Sequence, residues 1–122
     1  MSRAGGAQAL FWLALAFAVT MALLPHPPAT PLDRLGDKAE HMLAFATLAL
    51  LATQAFPRAP LFRIAERLSF AGALIEVLQA IPALHRDCDI RDWIADTLAI
   101  TAVLTVAALG RRAATRRDLD AP

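Results

Sequence analysis

Charged residues and cysteine are both scarce in this sequence, and each shortage excludes a class of protein. Charged residues make up 19% of the 122 residues, whereas hydrophobic residues make up 57%. Soluble domains usually contain about 45 to 50% apolar residues, so the chain is too apolar for an ordinary soluble domain. Because Cys88 is the only cysteine, the chain can form no intramolecular disulfide and no cysteine-based metal site.

Repeats, nucleic-acid signatures and common catalytic motifs are also missing. The sequence has no solenoid-length repeat, no G-x-S-x-G nucleophile motif and no H-E-x-x-H zinc motif. A metal site built from His41, Glu76, Asp92 and Asp96 is conceivable, but their spacing matches no recognised metal pattern, and pairing between helices explains them more simply. We therefore expect no metal, no cofactor and no nucleic-acid partner, and the length allows one domain.

Four apolar stretches dominate the chain, and each is long enough to cross a bilayer as a helix. Their bounds are 7–24, 39–56, 64–84 and 93–109. The connections between them are rich in proline or charge, which is typical of loops. The sequence predicts an all-α fold: a four-helix transmembrane bundle over residues 1–110, followed by a polar cytoplasmic tail, residues 111–122, that we expect to be disordered.

The first apolar stretch permits two interpretations. As a transmembrane helix it carries Ala14, Ala18 and Ala22 at four-residue spacing, and small residues at that spacing let helices approach closely. As the apolar part of a cleaved signal peptide it would be followed by a weak cleavage site at Ala29. We favour the transmembrane helix, because the stretch is long for a signal peptide.

The distribution of arginine predicts how the chain is oriented. Arginines occur at the N-terminus, in the middle connection and in the tail: Arg3, Arg58, Arg63, Arg67, Arg111, Arg112, Arg116 and Arg117. The other two connections are acidic or of mixed charge. Since positively charged loops stay in the cytoplasm, we predict a multi-pass protein of the bacterial cytoplasmic (inner) membrane, with both termini inside and both polar loops outside.

Polar residues at the predicted outer face suggest a site. His41 and Asp96 lie within about one turn of that face, whereas Gln79 and Glu76 lie about 8 Å and 12 Å below the end of the third stretch. Ionisable residues inside a membrane are costly and usually functional, although each could merely join helices by a hydrogen bond. We predict an outward-facing polar pocket that is lined by these residues: Asp37, Lys38, His41, Glu76, Gln79, Arg86, Asp92 and Asp96.

In its order of polar residues the chain resembles the VanZ-like family of small multi-spanning bacterial membrane proteins. The matching pieces are Asp37-Lys38-x-x-His41, Gly72-x-x-x-Glu76-x-x-Gln79, and Arg86 followed six residues later by Asp92. Asp96 stands where the family usually has asparagine, and Ala99 where it often has glycine. The resemblance covers residues 36–99. It implies an inner-membrane protein of a family named for a member linked to resistance to the glycopeptide teicoplanin, and it implies no known reaction.

Three functions fit such a pocket. The first is a non-catalytic role in the cell envelope, in which the pocket binds a polar headgroup or a peptide-like, cell-wall-related ligand. Lys38 and Arg86 would contact its anionic groups, while Glu76 and the aspartates would receive its amines or hydroxyls. The second is an intramembrane enzyme acting on a lipid-linked envelope precursor, with His41 as general base and Glu76 as the acid. The third is a proton- or ion-coupled carrier.

We favour the non-catalytic role. The sequence contains no strong nucleophile motif, which disfavours an enzyme, and the polar groups occupy only the outer half of the bundle, which disfavours a carrier. Four short helices bury little surface by themselves, so we also expect the bundle to associate with the lipid bilayer and either with itself or with another membrane protein.

Overall fold

The fold is a bundle of four α-helices, seen in a computed structural model that describes residues 2–122. Helix α1 spans Arg3–Leu23, α2 spans Asp37–Ala55, α3 spans Leu61–Gln79 and α4 spans Ile90–Asp120. Two short 3-10 helices, Pro31–Leu35 and Pro82–Leu84, lie in the first and third connections. Residues 2–122 contain no strand, so the predicted all-α class is confirmed.

Capping side chains, glycine and proline set the ends of the helices. Ser2 precedes α1, and its hydroxyl accepts a hydrogen bond from the Gly5 backbone N–H at 3.0 Å. Gly36, with a φ of +84°, turns the chain into α2 in a conformation that few other residues adopt. Pro57 and Pro82 follow the last residues of α2 and α3, where a ring nitrogen without a hydrogen cannot continue the helix.

Successive helices run in opposite directions, so the two ends of the bundle differ in composition. The Gln8 side chain donates to the Ala55 carbonyl at 3.0 Å, which joins the start of α1 to the end of α2. We call the end with the connections 24–36 and 80–89 the polar end. The opposite end, with the connection 56–60, the start of α1 and the last turns of α4, is the arginine end.

A small apolar core holds the helices together. Its most completely buried residues, each at most 1% exposed, are Leu48, Ala49, Ala55 and Ile100. Two of these four residues are alanines, and where alanines meet a neighbouring helix the backbones can lie close together. The helices therefore approach by their small residues, and most larger apolar side chains are left for the outside.

Helix α1 packs by the face that its alanine spacing predicted. Ala14, Ala18 and Ala22 are partly buried and pack against the core. On other faces of the same helix, Leu13 is 69% exposed and Phe17 is 66% exposed. The small side chains of α1 thus serve as its contact surface, as expected, and its large apolar side chains point outward.

Large apolar side chains also cover the outside of the rest of the bundle. Residues of α3 and α4 that are more than 60% exposed include Phe62, Phe70, Val77, Ile90, Leu98 and Val106. An extended apolar surface of this kind marks contact with a membrane or a protein. By length and composition, α1 and α4 could each cross a membrane, and only 6% and 28% of their apolar segments are buried inside the bundle.

Helices α2 and α3 do not reach the same hydropathy. Charged residues in the first two turns lower their mean hydropathy: Asp37, Lys38 and Glu40 in α2, and Arg63, Glu66 and Arg67 in α3. The structure thus supports membrane-spanning length and composition for two of the four predicted spans.

The end of the chain is helical rather than disordered. We expected residues 111–122 to form a disordered tail, but α4 continues as far as Asp120, so that prediction is wrong. Alanine and arginine are strong helix formers, and a helix already nucleated by packed residues extends easily through them. At about 1.5 Å per residue, α4 is about 46 Å long, longer than the hydrocarbon core of a bilayer, about 30 Å.

Helix α3 ends earlier than the apolar pattern suggested. We predicted that the third stretch continues to Leu84, whereas α3 ends at Gln79 and a 3-10 helix occupies Pro82–Leu84. Pro82 cannot donate the hydrogen bond that would extend the α-helix. As a result, Gln79 lies at the polar end itself and Glu76 lies about one turn below it.

We expect enlargement of Gly72 to destabilise the packing of α3. A Cβ there would meet Phe45 Cζ at 3.4 Å and both Asp96 Oδ2 and Trp93 Cδ1 at 3.5 Å, so alanine fits and leucine does not. Gly72→Leu should lower the free energy of unfolding by about 1–3 kcal/mol, the usual cost of overpacking, measured by thermal unfolding in detergent. Gly110→Leu is the control, since a Cβ there meets no described atom within 4 Å. An equal effect of both variants would contradict the close contact.

Candidate functional site

A cavity of about 680 Å³ opens at the polar end of the bundle. Apolar side chains of α1, such as Phe17 and Met21, form one wall, and polar side chains from α2 and the two connections form the other. Six of the eight predicted site residues line it: Asp37, Lys38, His41, Gln79, Arg86 and Asp92. A volume of this size is typical of small-molecule sites, which span about 300–1,000 Å³.

Two polar contacts connect α2 with α4 beside the cavity. Lys38 Nζ lies 3.3 Å from Asp92 Oδ1, and His41 Nδ1 lies 3.7 Å from Asp96 Oδ2. Both helices begin at the polar end and run in the same direction. Residues three and four apart share a helix face, so the step from Lys38 to His41 matches the step from Asp92 to Asp96. The structure therefore brings together the two polar faces that the spacing predicted.

Asp96 lies behind His41 and not in the cavity wall. Its side chain is 1% exposed, and its Oδ1 has no hydrogen-bond partner among residues 2–122. Gly72 leaves room for this carboxylate, since a Cβ at Gly72 would stand 3.5 Å from Asp96 Oδ2. Asp96 does not line this cavity, and its contact with a ligand stays a prediction.

Glu76 also lies outside the cavity wall, and its partner is the backbone. It is 6% exposed, and its Oε2 accepts a hydrogen bond from the Asp89 N–H at 3.0 Å. Asp89 is the residue that caps α4, because its own carboxylate accepts from the Arg91 N–H at 2.9 Å. Glu76 thus fixes the point from which α4 starts, a role that we did not predict for it.

Gln79 lines the cavity and carries a buried acceptor oxygen without a donor among residues 2–122. Its amide nitrogen donates to the Ala22 carbonyl of α1 at 2.9 Å, which leaves its carbonyl oxygen on the other side. The side chain is 2% exposed, and Oε1 accepts no hydrogen bond from the described part of the chain. Three predicted residues carry a buried acceptor atom without a donor in the described chain: Glu76 Oε1, Gln79 Oε1 and Asp96 Oδ1. Of these three, Gln79 is the one that lines the cavity.

Lys38 and Arg86 already have partners. Lys38 lies between two aspartates, at 3.3 Å from Asp92 and 3.9 Å from Asp89. Arg86 donates from Nη1 to the Leu24 carbonyl at 3.4 Å. We predicted that these two cations contact anionic ligand groups, but the charge of Lys38 is balanced by carboxylates before any ligand arrives.

Four acidic residues of the cavity were not among the predicted site residues: Asp33, Glu40, Asp87 and Asp89. The spacing offered a signal for Glu40, which is three residues after Asp37 on the same helix. A capping pattern offered one for Asp33, which accepts hydrogen bonds from the Thr30 backbone and hydroxyl, both at 3.1 Å. The backbone hydrogen bond lowers the pKa of Asp33, so this carboxylate is ionised at neutral pH.

Cys88 and His85 do not form a catalytic pair. The His85 ring stacks on His26 with a centroid separation of 6.3 Å. Partial desolvation of the sulfur raises the pKa of Cys88, and the negative charge of Glu76 raises it further. A thiol with a raised pKa stays protonated at neutral pH and is a weak nucleophile, so Cys88, exposed and unbridged, has the properties of a free loop cysteine.

Comparison with known proteins does not identify a relative. No protein-family model, no curated protein and no solved structure matches the chain. The resemblance to the VanZ-like family therefore depends on the residues quoted in the sequence, and the function has to be argued from the geometry of the cavity.

We expect Glu76→Ala to loosen the connection before α4. A hydrogen bond to a charged group contributes about 1.5–3 kcal/mol, and about 1.4 kcal/mol corresponds to a factor of ten. Amide hydrogen exchange in residues 85–92, followed by mass spectrometry, should therefore accelerate by about tenfold or more. Glu76→Gln keeps an acceptor oxygen and should exchange more slowly than Glu76→Ala.

Glu66→Ala is the matched control for this measurement, since Glu66 is an exposed carboxylate on the same helix. It should leave the exchange of residues 85–92 unchanged. If Glu76→Ala also leaves that exchange unchanged, Glu76 does not hold the start of α4 and the structural role assigned to it is wrong.

Proposed function

We propose that this protein is a VanZ-like integral membrane protein of the bacterial cell envelope. In this proposal all four helices span the cytoplasmic membrane, the polar end faces outward, and the cavity binds a polar envelope ligand without transforming it. The observation that carries the proposal is the cavity itself, a polar site at one end of a bundle whose outside is apolar. Lipid-exposed helices with a polar interior site are typical of membrane proteins that bind ligands.

The lengths of α2 and α3 support their assignment as membrane spans. Each has 19 residues, or about 28 Å of helix, close to the thickness of the hydrocarbon core of a bilayer, about 30 Å. Most of their charged residues lie near the first turn, where long side chains reach the headgroup region. The exception is Glu76, which is buried and bonded to backbone and therefore does not face lipid.

The positive charges support the outward orientation of the polar end. The exposed arginines of the chain lie mostly at the arginine end, including four in the last turns of α4: Arg111, Arg112, Arg116 and Arg117. Arginine-rich segments remain on the cytoplasmic side of bacterial membranes. The cavity at the opposite end would then open to the outside, where cell-wall precursors and glycopeptides are found.

The single cysteine allows this orientation to be tested. In right-side-out membrane vesicles, a membrane-impermeant maleimide should label Cys88 without permeabilisation, because the polar end faces the medium. Labelling is carried out at alkaline pH, since the pKa of Cys88 is raised. In the paired control, Cys88→Ser with Thr115→Cys, the thiol lies on the exposed last turns of α4 and should be labelled only after permeabilisation. The reverse pattern would contradict the orientation.

A second candidate function, an intramembrane enzyme acting on a lipid-linked precursor, is favoured by one observation. His41 lines the cavity while its ring lies 3.7 Å from the buried carboxylate of Asp96, and a carboxylate that orients a histidine is a common arrangement for a general base. This candidate requires turnover of such a precursor by the purified protein and its loss in His41→Ala. Binding without turnover favours the non-catalytic role.

We expect the cavity wall to be needed for any effect on glycopeptide sensitivity. Expression in a teicoplanin-sensitive bacterium should raise the inhibitory concentration, and His41→Ala or Gln79→Ala should return it to the level of cells without the protein. Asp118→Ala on the exposed end of α4 is the control and should behave as wild type. Immunoblots of membrane fractions verify equal insertion.

Two results would count against the proposed role in this assay. One is wild-type protein that leaves the inhibitory concentration unchanged. The other is an effect that persists in the cavity variants, or that is lost equally in Asp118→Ala, since either pattern would separate the phenotype from the cavity.

A further inference from the structure

We propose that the cavity recognises its ligand by a primary ammonium group. The inference rests on the proposed function, because it names the chemical class of ligand that the same cavity would bind. It narrows the expectation from the sequence, in which carboxylates receive amines and Lys38 and Arg86 receive anionic groups, to recognition of an amine. Three observations carry it: the balance of charges in the cavity wall, the prior engagement of the cations, and buried acceptors that lack donors.

The cavity wall contains many more carboxylates than cations. Its six carboxylates are Asp33, Asp37, Glu40, Asp87, Asp89 and Asp92. Its permanently charged cations are Lys38 and Arg86, and the two histidines, His41 and His85, are the other titratable groups of the wall. A site of this composition attracts cations and repels phosphate or carboxylate ligands.

The two cations do not compensate for this excess at the base of the cavity. Lys38 is shared by Asp89 and Asp92, and Arg86 donates to the Leu24 carbonyl. Among residues 2–122 no cation pairs with Asp37 on the first turn of α2, so its negative charge is left for a bound ligand to balance.

Two acceptor atoms in the wall are buried and lack donors. Gln79 Oε1 and Glu40 Oε1 have no hydrogen-bond partner in the described part of the chain, and Gln79 is 2% exposed. The amide of Gln79 cannot exchange its ends without loss of the bond from its nitrogen to the Ala22 carbonyl. A buried acceptor without a donor costs free energy, so a ligand that donates hydrogen bonds to these atoms would stabilise the protein.

A primary ammonium group fits these requirements, since it has three N–H donors, a positive charge and no acceptor. A metal ion fits them less well. Calcium and magnesium need several oxygen ligands around one point, whereas no three histidine, cysteine or acidic residues of the described chain converge in that way. The carboxylates are instead spread along the wall, as suits an organic cation that extends through the cavity.

The experiment compares two dications of equal chain length that differ in their donors. Titration calorimetry on the full-length protein in detergent uses 1,6-diaminohexane, which has N–H donors, and hexamethonium, whose nitrogens are fully methylated. We expect 1,6-diaminohexane to bind at least about tenfold more tightly, because only it can satisfy the buried acceptors. Equal affinities, or tighter binding of hexamethonium, would overturn the proposal.

Substitutions in the cavity wall test whether 1,6-diaminohexane binds in the cavity. Glu40→Gln preserves the shape of the side chain and replaces one carboxyl oxygen with an NH₂ group, and it should weaken binding of 1,6-diaminohexane several-fold. Gln79→Met removes the acceptor and should reduce the preference over hexamethonium. Asp118→Asn, an exposed carboxylate on the last turns of α4, should bind as wild type. If Glu40→Gln and Asp118→Asn behave alike, the diamine binds elsewhere and the proposal fails.

A lipid arm distinguishes the source of the ammonium group. The protein is placed in nanodiscs of phosphatidylglycerol doped with phosphatidylethanolamine or with phosphatidylcholine, and 1,6-diaminohexane is titrated into both. Weaker diamine binding in the ethanolamine discs alone would show that the lipid headgroup competes for the cavity, whereas equal binding in both would identify a free amine as the ligand. Both results support recognition of ammonium.

Inorganic phosphate separates the failure of this inference from that of the proposed function. If phosphate binds in the cavity and 1,6-diaminohexane does not, the ammonium proposal is wrong, while a ligand-binding cavity remains. If neither binds, and the His41 and Gln79 variants also leave teicoplanin sensitivity unaffected, both the inference and the proposed function fail.

Discussion

The buried carboxylate of Asp96 lies where α2, α3 and α4 meet at the polar end, and the need to pair it constrains how these helices pack. A charged or polar group in an apolar interior needs a partner, and the one within 4 Å among residues 2–122 is His41, at 3.7 Å. The register of α2 against α4 that allows this contact also brings Lys38 to Asp92. Gly72 completes the arrangement, since a larger residue would occupy the space next to the carboxylate.

The polar residues of the polar end fall into two groups with different roles, which their spacing in the sequence does not distinguish. Glu76 and Asp96 lie behind the cavity wall, where they hold the start of α4 and the ring of His41. Gln79 and Glu40 lie in the wall with unpaired acceptor oxygens. Rigid support behind a wall of free acceptors is the arrangement that favours selective binding, because the ligand does not have to reorganise the site.

Much of the fold could be predicted from the sequence, because its determinants are local. Apolar stretches and prolines indicate the helices, and counting residues from the polar connections places His41, Gln79 and Asp96 in one layer. The errors also have local causes. Pro82 ends α3 before the apolar pattern ends, and the alanine and arginine of residues 111–120 extend a helix whose polarity suggested disorder.

By itself, the sequence determined four helices, an apolar outside and a collection of polar groups at one end, since these follow from composition and spacing. Only the tertiary structure decided which groups face the cavity. Glu76 and Gln79 are three residues apart on one helix face, yet Glu76 accepts from the Asp89 backbone behind the cavity and Gln79 lines it. That difference depends on helix rotation and on the path of the connection before α4, which packing between residues distant in sequence sets.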